Sequence, residues 1–370
     1  MNALERDLVA FAQRLAATPS RPGEEREVAE LLATKLIHLG YRDVAVDPMS
    51  NVVGYLGEGP PRLMFNGGHL DHVPPAGMDD PYGAQIVDGQ LRGRGTLDMK
   101  ANVAAGAFAA AFVDAPLRGV YIFTADVREE IDGPEGIQAL LAQGLRADYG
   151  VSGEATSLDV ALGHRGKVQL DVTVAGRSSH AATPAEGENA VFRALPFLAA
   201  LERAGERVPS DPHLGAATLT VTGIASAPSG GVAVVPSSCT IRVDRRYVRG
   251  ETPDSCRVEV EELVDRVAAE HGAHATVELV NVYPLMATEP DHPLVRAASA
   301  AVEGATGRVP ALKAWRFGVN ATFMNATGIP SVGIGAGDER LAHTPAERVP
   351  VYEIVQASHA YALLIERLCA

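Results

Sequence analysis

Cysteine is scarce in this 370-residue chain: Cys239, Cys256 and Cys369 are odd in number, scattered, and in no CxxC or pairing spacing. That excludes a disulfide framework and a thiolate-closed structural zinc site, and it points to a reducing cytoplasm. Aromatic residues make up only 5%, yet 46% hydrophobic residues with 37 Gly and 24 Pro are the composition of an ordinary globular protein, neither disordered nor fibrous. No apolar run approaches the roughly 18 residues that would cross a bilayer. The first twenty residues mix Glu5, Arg6 and Asp7 with apolar residues at helical spacing, which predicts an amphipathic surface helix rather than the apolar region of a signal segment. Positive charge is short as well, 32 Lys and Arg against 46 Asp and Glu for a net charge of −14. With no basic stripe to reverse that field, nucleic acid and anionic membrane are excluded as partners.

What is present is enough chain for two domains, since 370 residues exceed the usual single-core limit. From residue 1 to about 165, helical patterns alternate with short apolar runs at Arg62–Phe65, Val120–Asp126 and Tyr149–Ser152, which predicts an α/β sheet with helices on both faces. The Ala-rich stretch Met99–Val113 reads as a helix by propensity. Between about 166 and 281 the order becomes strand (Lys167–Ala175), helix (Glu188–Arg203), two strands (Ala217–Ile224, Cys239–Tyr247), helix (Pro253–His271) and strand (Ala275–Val280), the ferredoxin-like split unit. The remainder resumes the first style. The expectation is therefore an α/β fold in which a doubly wound, mostly parallel sheet domain (1–165 and 282–370) carries an inserted ferredoxin-like α+β domain (166–281).

Five segments place His or carboxylates just past an expected strand, the edge at which open α/β sheets bind ligands. The first, Phe65-Asn-Gly-Gly-His69-Leu-Asp71-His72, sets His69 and Asp71 two apart in extended chain, so that a carboxylate can hold the far imidazole nitrogen while the near one binds metal. His72 faces the other way. The second, Gly93-Arg-Gly95-Thr-Leu-Asp98-Met-Lys100, offers Asp98 either as a plain helix cap or as a bridging carboxylate. The third, Asp126-Val-Arg-Glu129-Glu130, puts carboxylates side by side, which is costly unless a cation compensates. One of them can ligate while its neighbour works as general base. Val151-Ser-Gly-Glu154 and the Gly-rich stretch Gly333 to Glu347, which delivers His343, complete the set. Each is weak alone; together, two His and three or four carboxylates suit an open site for zinc first, with cobalt or manganese as alternatives.

The order His-x-Asp, Asp, Glu-Glu, Glu, His resembles the metallopeptidase and deacylase family of aminoacylase, glutamate carboxypeptidase, acetylornithine deacetylase and succinyl-diaminopimelate desuccinylase. The Gly163-His164-Arg165-Gly166 turn and the Trp315–Phe323 stretch look most like its selenium-metabolism hydrolase branch. The resemblance implies two divalent metal ions per chain, one on His69, Asp98 and Glu154 and one on Asp98, Glu130 and His343. Asp71 would orient His69, and Glu129 would be the general base for a metal-activated water. The inserted domain, as lid and dimerisation module, would supply His180 to the oxyanion across a homodimer and Arg246 to a substrate carboxylate, with Arg245 able to exchange with Arg246. The implied reaction is amide cleavage in a small N-acyl amino acid or short peptide with a free carboxylate. Dipeptidase or carboxypeptidase action, a silent amino-acid-binding homologue and metal-dependent phosphoester hydrolysis are the alternatives, the last disfavoured because no Gly-rich phosphate loop opens a helix. Two positions depart from the family pattern, Ala233 before Pro236 and Asn320 after Gly318, and both are expected at the substrate and away from the metals.

Overall fold

The computed structural model describes residues 1–66, 68–131, 134–230 and 232–370. Gly67 and the Asp132-Gly133 pair, within two of the motif segments, lie outside the described residues. The chain opens with α1 (Ala3–Ala17), α2 (Arg26–His38), β1 (Arg42–Val46), β2 (Val52–Gly57), β3 (Arg62–Phe65), β4 (Ile86–Val87) and β5 (Gln90–Arg92). It continues through α3 (Ala101–Ala109), β6 (Val120–Ala125), α4 (Glu135–Ala142), β7 (Tyr149–Ser152) and β8 (Val160–His164). Then come β9 (Gly166–Ala175), α5 (Ala190–Gly205), β10 (Ser210–Asp211), β11 (Gly215–Ala216), β12 (Thr218–Ala227), β13 (Ser238–Tyr247), α6 (Pro253–His271) and β14 (Ala275–Tyr283). The last stretch holds β15 (Met286–Ala287), α7 (Pro293–Thr306), β16 (Leu312–Trp315), α8 (Ala321–Ala326), β17 (Ser331–Gly333), β18 (Arg348–Pro350) and α9 (Val351–Cys369).

Two compact units result, one of Met1–Gly163, Met286–Trp315 and Val319–Ala370, the other of His164–Leu285 with Arg316–Gly318. In the first unit the large sheet runs β1-β2-β6-β3-β7-β17-β8-β15, with β16 also on β8. Its centre, β6-β3-β7-β17, is parallel, and antiparallel partners flank it. The pleat sends Leu63, Phe65, Tyr121, Phe123 and Val151 into one core with α1, α3, α7 and α9. The alternate residues Met64 and Ile122 are buried too, and α8 packs against β7 and β17 with α4 beside it. A strand apolar on both faces is the mark of a parallel sheet covered on both sides.

Helix boundaries follow local chemistry. Asn2 and Glu5 form a capping box at α1, and Leu8, Phe11, Ala12 and Leu15 bury its inner stripe. The Ala-rich helix begins at Ala101 rather than Met99, because Asp98 and Met99 have non-helical backbone angles. Every residue of α3 is buried, which small side chains allow. At Gly106 a Cβ would lie 2.6 Å from the Phe65 ring, so only glycine lets α3 approach the sheet this closely.

The second unit is a four-stranded antiparallel sheet, β12-β13-β9-β14, with α5 and α6 on one face. Strand β13 alternates half-buried and buried along its whole length, and Ile241, Val243, Leu170 and Val172 meet Phe197, Leu201, Val260 and Val264 of the helices. Cys239 and Cys256 sit in this core and Cys369 in the other; all three are free and buried. Among the described residues no helix is long and apolar enough to cross a membrane.

Candidate metal centre

The site grows out of the C-terminal ends of four adjacent parallel strands. Past β3 lies His69, past β6 lie Asp126, Glu129 and Glu130, past β7 lies Glu154, and past β17 the chain runs on to His343. The register Phe65↔Phe123, Phe65↔Val151 and Gly333↔Ser152 ends these strands level, so residues distant in sequence emerge at one edge. Gly335 brings the last segment in: a Cβ there would stand 2.3 Å from the carbonyl oxygens of Gly153 and Glu154.

Asp98, in the turn before α3, divides its carboxylate. Oδ1 is 2.9 Å from His69 Nε2 and Oδ2 is 3.1 Å from His343 Nε2. Glu154 Oε1 is 3.6 Å from His69 Nε2, and Glu130 Oε2 is 2.9 Å from His343 Nε2. The ligand atoms therefore form two groups, His69 with Asp98 and Glu154, and Asp98 with Glu130 and His343, sharing Asp98. His69 is buried, whereas half of the His343 side chain is exposed. Glu129 adds its carboxylate beside Glu130 and feels the charges of His69, Glu130, Asp98 and Asp71.

The electrostatics call for cations. Among the described residues only the two histidines pair with Asp98, Glu130 and Glu154. Burial, reinforced by neighbouring carboxylates, pushes Glu129 and Glu154 well above the usual carboxylate range and Glu130 in the same direction. Burial opposes charge on His69 too, but Asp71 and Asp98 hold it well above the ordinary imidazole value. His343 is pushed up to about 10 by its hydrogen bonds with Asp98 and Glu130. Glu130 Oε1 is buried with no hydrogen-bond partner. The causes that raise these groups, burial and mutual repulsion of carboxylates, are those that bound cations would relieve. An all-N/O donor set with a shared carboxylate fits a pair of divalent ions, and it contains no thiolate that would close the site.

His69 Nδ1 lies 3.0 Å from the backbone carbonyl of Asp71 and 3.6 Å from its carboxylate, so both groups of Asp71 face the far side of the ring. The carboxylate also accepts the backbone N–H groups of Glu129 (3.2 Å) and Glu130 (3.0 Å). His72 accepts from the Ser20 N–H through Nε2 and reaches the Val73 carbonyl through Nδ1, and burial lowers its pKa to about 4. It is a neutral structural histidine, as its opposite-facing position predicts.

The second unit carries the other two expected residues. His180 is exposed, and its segment is pinned by a bridge to Val234 and by backbone bonds from Ala181 to Ala233 and from Val235 to Ser179. Ala233 thus contributes a carbonyl where the family pattern has a side chain. Arg246 is held by Asp244 at 2.7 Å on the helix-free side of the sheet. Arg245 cannot exchange with it, because its buried guanidinium points the other way into Glu251 and Glu259. That pairing also accounts for the cluster of Glu251, Cys256 and Glu259, which has an arginine at its centre.

The structure also locates Asn320. It is buried, and its Nδ2 donates to Asp126 Oδ2 at 3.0 Å, while Asp126 bridges His69 in the sheet. It thereby supports the segment that carries His69. Two features had no counterpart in the sequence reading: the buried Arg94–Glu347 pair and the buried Lys100, whose Nζ donates to the Thr18 carbonyl at 2.6 Å. Polar residues buried by a distant segment leave no periodic trace, although a carboxylate four residues after His343 was a signal to follow.

The geometry defines a dinuclear-type, carboxylate-rich hydrolase centre. Residues 66–367 match the model of peptidase family M20/M25/M40, and the chain belongs to that family as a metal-dependent hydrolase. It is 32% identical to the Escherichia coli uncharacterized protein YgeY, over 97% of this chain and 93% of that one. It is 31% identical to succinyl-diaminopimelate desuccinylase of Phenylobacterium zucineum, over 98% of this chain and 99% of that one. In fold it is similar to the aminopeptidase PepT of Bacillus cereus, with a TM-score of 0.81 at 24% identity and 98% of each chain covered. It is also similar to the dinuclear metal-binding peptidase YxeP of Bacillus subtilis, with a TM-score of 0.77 at 17% identity and 99% of each chain covered.

Proposed function

We propose that the chain hydrolyses the amide bond of a small N-acyl amino acid or short peptide bearing a free carboxylate. The observation that carries this reading is the division of the Asp98 carboxylate between His69 and His343. Two divalent ions, zinc first, held by His69, Asp98 and Glu154 and by Asp98, Glu130 and His343, would make water nucleophilic at neutral pH and polarise the scissile carbonyl. Glu129 takes the proton of the attacking water and passes it to the leaving nitrogen as the C–N bond breaks, so that one acid and one amine leave with the proton accounted for.

His180 is assigned as hydrogen-bond donor to the oxyanion, supplied across a homodimer, and Arg246 as partner of the substrate carboxylate, which would replace Asp244 on its guanidinium. A dimer is supported by α5, which exposes Phe192 (69%) and Leu195 (57%) three residues apart, and by Ile224 (55%) on edge strand β12. Three free, buried thiols support a cytoplasmic setting.

The test is amine release from N-succinyl, N-acetyl and N-formyl amino acids and dipeptides, using chelator-stripped protein resupplied with zinc, cobalt or manganese. The desuccinylase relatives put N-succinyl compounds first. Metal-restored turnover supports the reading; a silent panel from protein holding two ions overturns it.

A further inference from the structure

Glu347 is a fully buried carboxylate near the centre that is not assigned a metal. It lies four residues after His343, in the segment that enters β18, and its side chain is fully enclosed. Both oxygens are engaged. Oε1 accepts the backbone N–H of Leu97 at 3.1 Å and of Asp98 at 3.3 Å, and Oε2 accepts from Arg94 Nη1. Arg94, equally buried, reaches on to the carbonyls of Pro75 and Thr344, both at 3.4 Å. The Gly93 N–H meets the Glu347 carbonyl at 3.5 Å, and Arg348 pairs with Arg92 across the short sheet of β5 and β18.

The Glu347 contacts converge on the two consecutive amides of Leu97 and Asp98. Asp98 has non-helical backbone angles, so no helix fixes its amide. Two N–H groups on a single carboxylate oxygen supply what a helix would otherwise supply, and charge-assisted bonds of this kind are about twice as strong as neutral ones. The carboxylate comes from the same segment as His343. Placement of the shared ligand and placement of a ligand of the second ion are therefore one mechanical unit.

We propose that Glu347 is a positioning residue that sets Asp98 between the two ion sites, with Arg94 aiming its carboxylate. The inference rests on Asp98 and His343 being ligands, as proposed above, and it assigns Glu347 no contact with substrate.

Titration of metal-stripped protein with zinc, followed by calorimetry, tests it without any substrate. Glu347→Gln is expected to weaken zinc binding by about 10- to 100-fold, the usual cost of losing a group that orients a metal ligand. The double variant Arg94→Met/Glu347→Gln, which buries no unpaired charge, is expected to show a loss of the same size at near-native thermal stability. Either variant binding zinc within twofold of wild type overturns the proposal. Hydrogen exchange on metal-free wild type gives a second readout: the Leu97 and Asp98 amides should stay protected after the ions are removed, and exchange at the rate of an exposed loop would overturn the clamp. A wild-type protein that takes up no zinc would instead overturn the metal reading, and this would be seen before any variant is made.

Discussion

The carboxylate of Asp71 accepts the backbone N–H of Glu130 at 3.0 Å, and its other oxygen accepts that of Glu129 at 3.2 Å. One residue thus joins the loop that carries His69 to the turn that carries the adjacent glutamates. Asp71→Ala frees two buried donors and lets that turn relax. The expected outcome is zinc affinity lower by about 10- to 100-fold, with kcat falling even at saturating metal because Glu129 moves as well. Affinity from calorimetry and kcat at excess zinc separate the two effects; wild-type values of both would remove Asp71 from the site.

Glu129→Gln keeps the shape of the side chain and removes its capacity to take a proton. Metal content should remain two ions, as a two-metal site requires, while kcat falls by about 100- to 10,000-fold, the range that general base catalysis supplies. Metal analysis beside steady-state kinetics checks this, and full turnover in a metal-replete variant would refute the assigned role.

Metal removal should change both the stability and its pH dependence. In the ion-free protein His343 sits near 10, above the ordinary value of 6.5. A raised histidine stabilises the fold fully below its unfolded pKa and loses that contribution as pH climbs through its folded one. Glu129 and Glu154, also raised, hold protons in the folded state that the unfolded chain has released, and so act with the same sign. In chelator the Tm should fall as pH rises from about 6.5 to about 10. Zinc at a hundred times its Kd should add about 2.7 kcal/mol per site and flatten the slope. Thermal scans at several pH values, with and without zinc, provide the measurement.

Asn320→Ala strips Asp126 of its amide donor in a fully buried setting. Burial already raises Asp126 to about 6, so the loss matters most where that carboxylate must be ionised. Denaturant unfolding is expected to show a cost of about 1–3 kcal/mol, larger at pH 8 than at pH 5. Equal costs at both pH values would mean that the amide does not serve the charged form.

Phe192→Asp with Leu195→Asp places charge on the apolar face of α5. Sedimentation should shift from dimer to monomer, and turnover should fall with it if His180 acts across the dimer. A wild-type protein that sediments as a monomer at working concentration would remove that role.

Much of this was legible along the chain. Leu63, Phe65, Tyr121, Phe123 and Val151 belong to short apolar runs bounded by polar and glycine-rich stretches, which mark strands of a covered parallel sheet. The helix Pro253–His271 was read to the residue, because Thr252, Pro253 and Gly272 are local stop and start signals. The candidate residue types and their order are likewise one-dimensional information, and the family resemblance of that order is what implies His69, Asp98, Glu130, Glu154 and His343 as ligands.

Only the tertiary structure decided which atoms meet. Asp71 meets His69 through its carbonyl as well as its carboxylate, and that carboxylate also takes the turn at Glu129 and Glu130. Arg245 and Arg246 are neighbours in sequence with similar side chains, and the pleat of β13 sends one into the helix layer and leaves the other on the open side. Glu347 reaches Asp98 across 249 positions of chain. Local propensity is set by nearest neighbours, but the partner of a buried polar group is whatever the packed chain brings within about 3 Å of it.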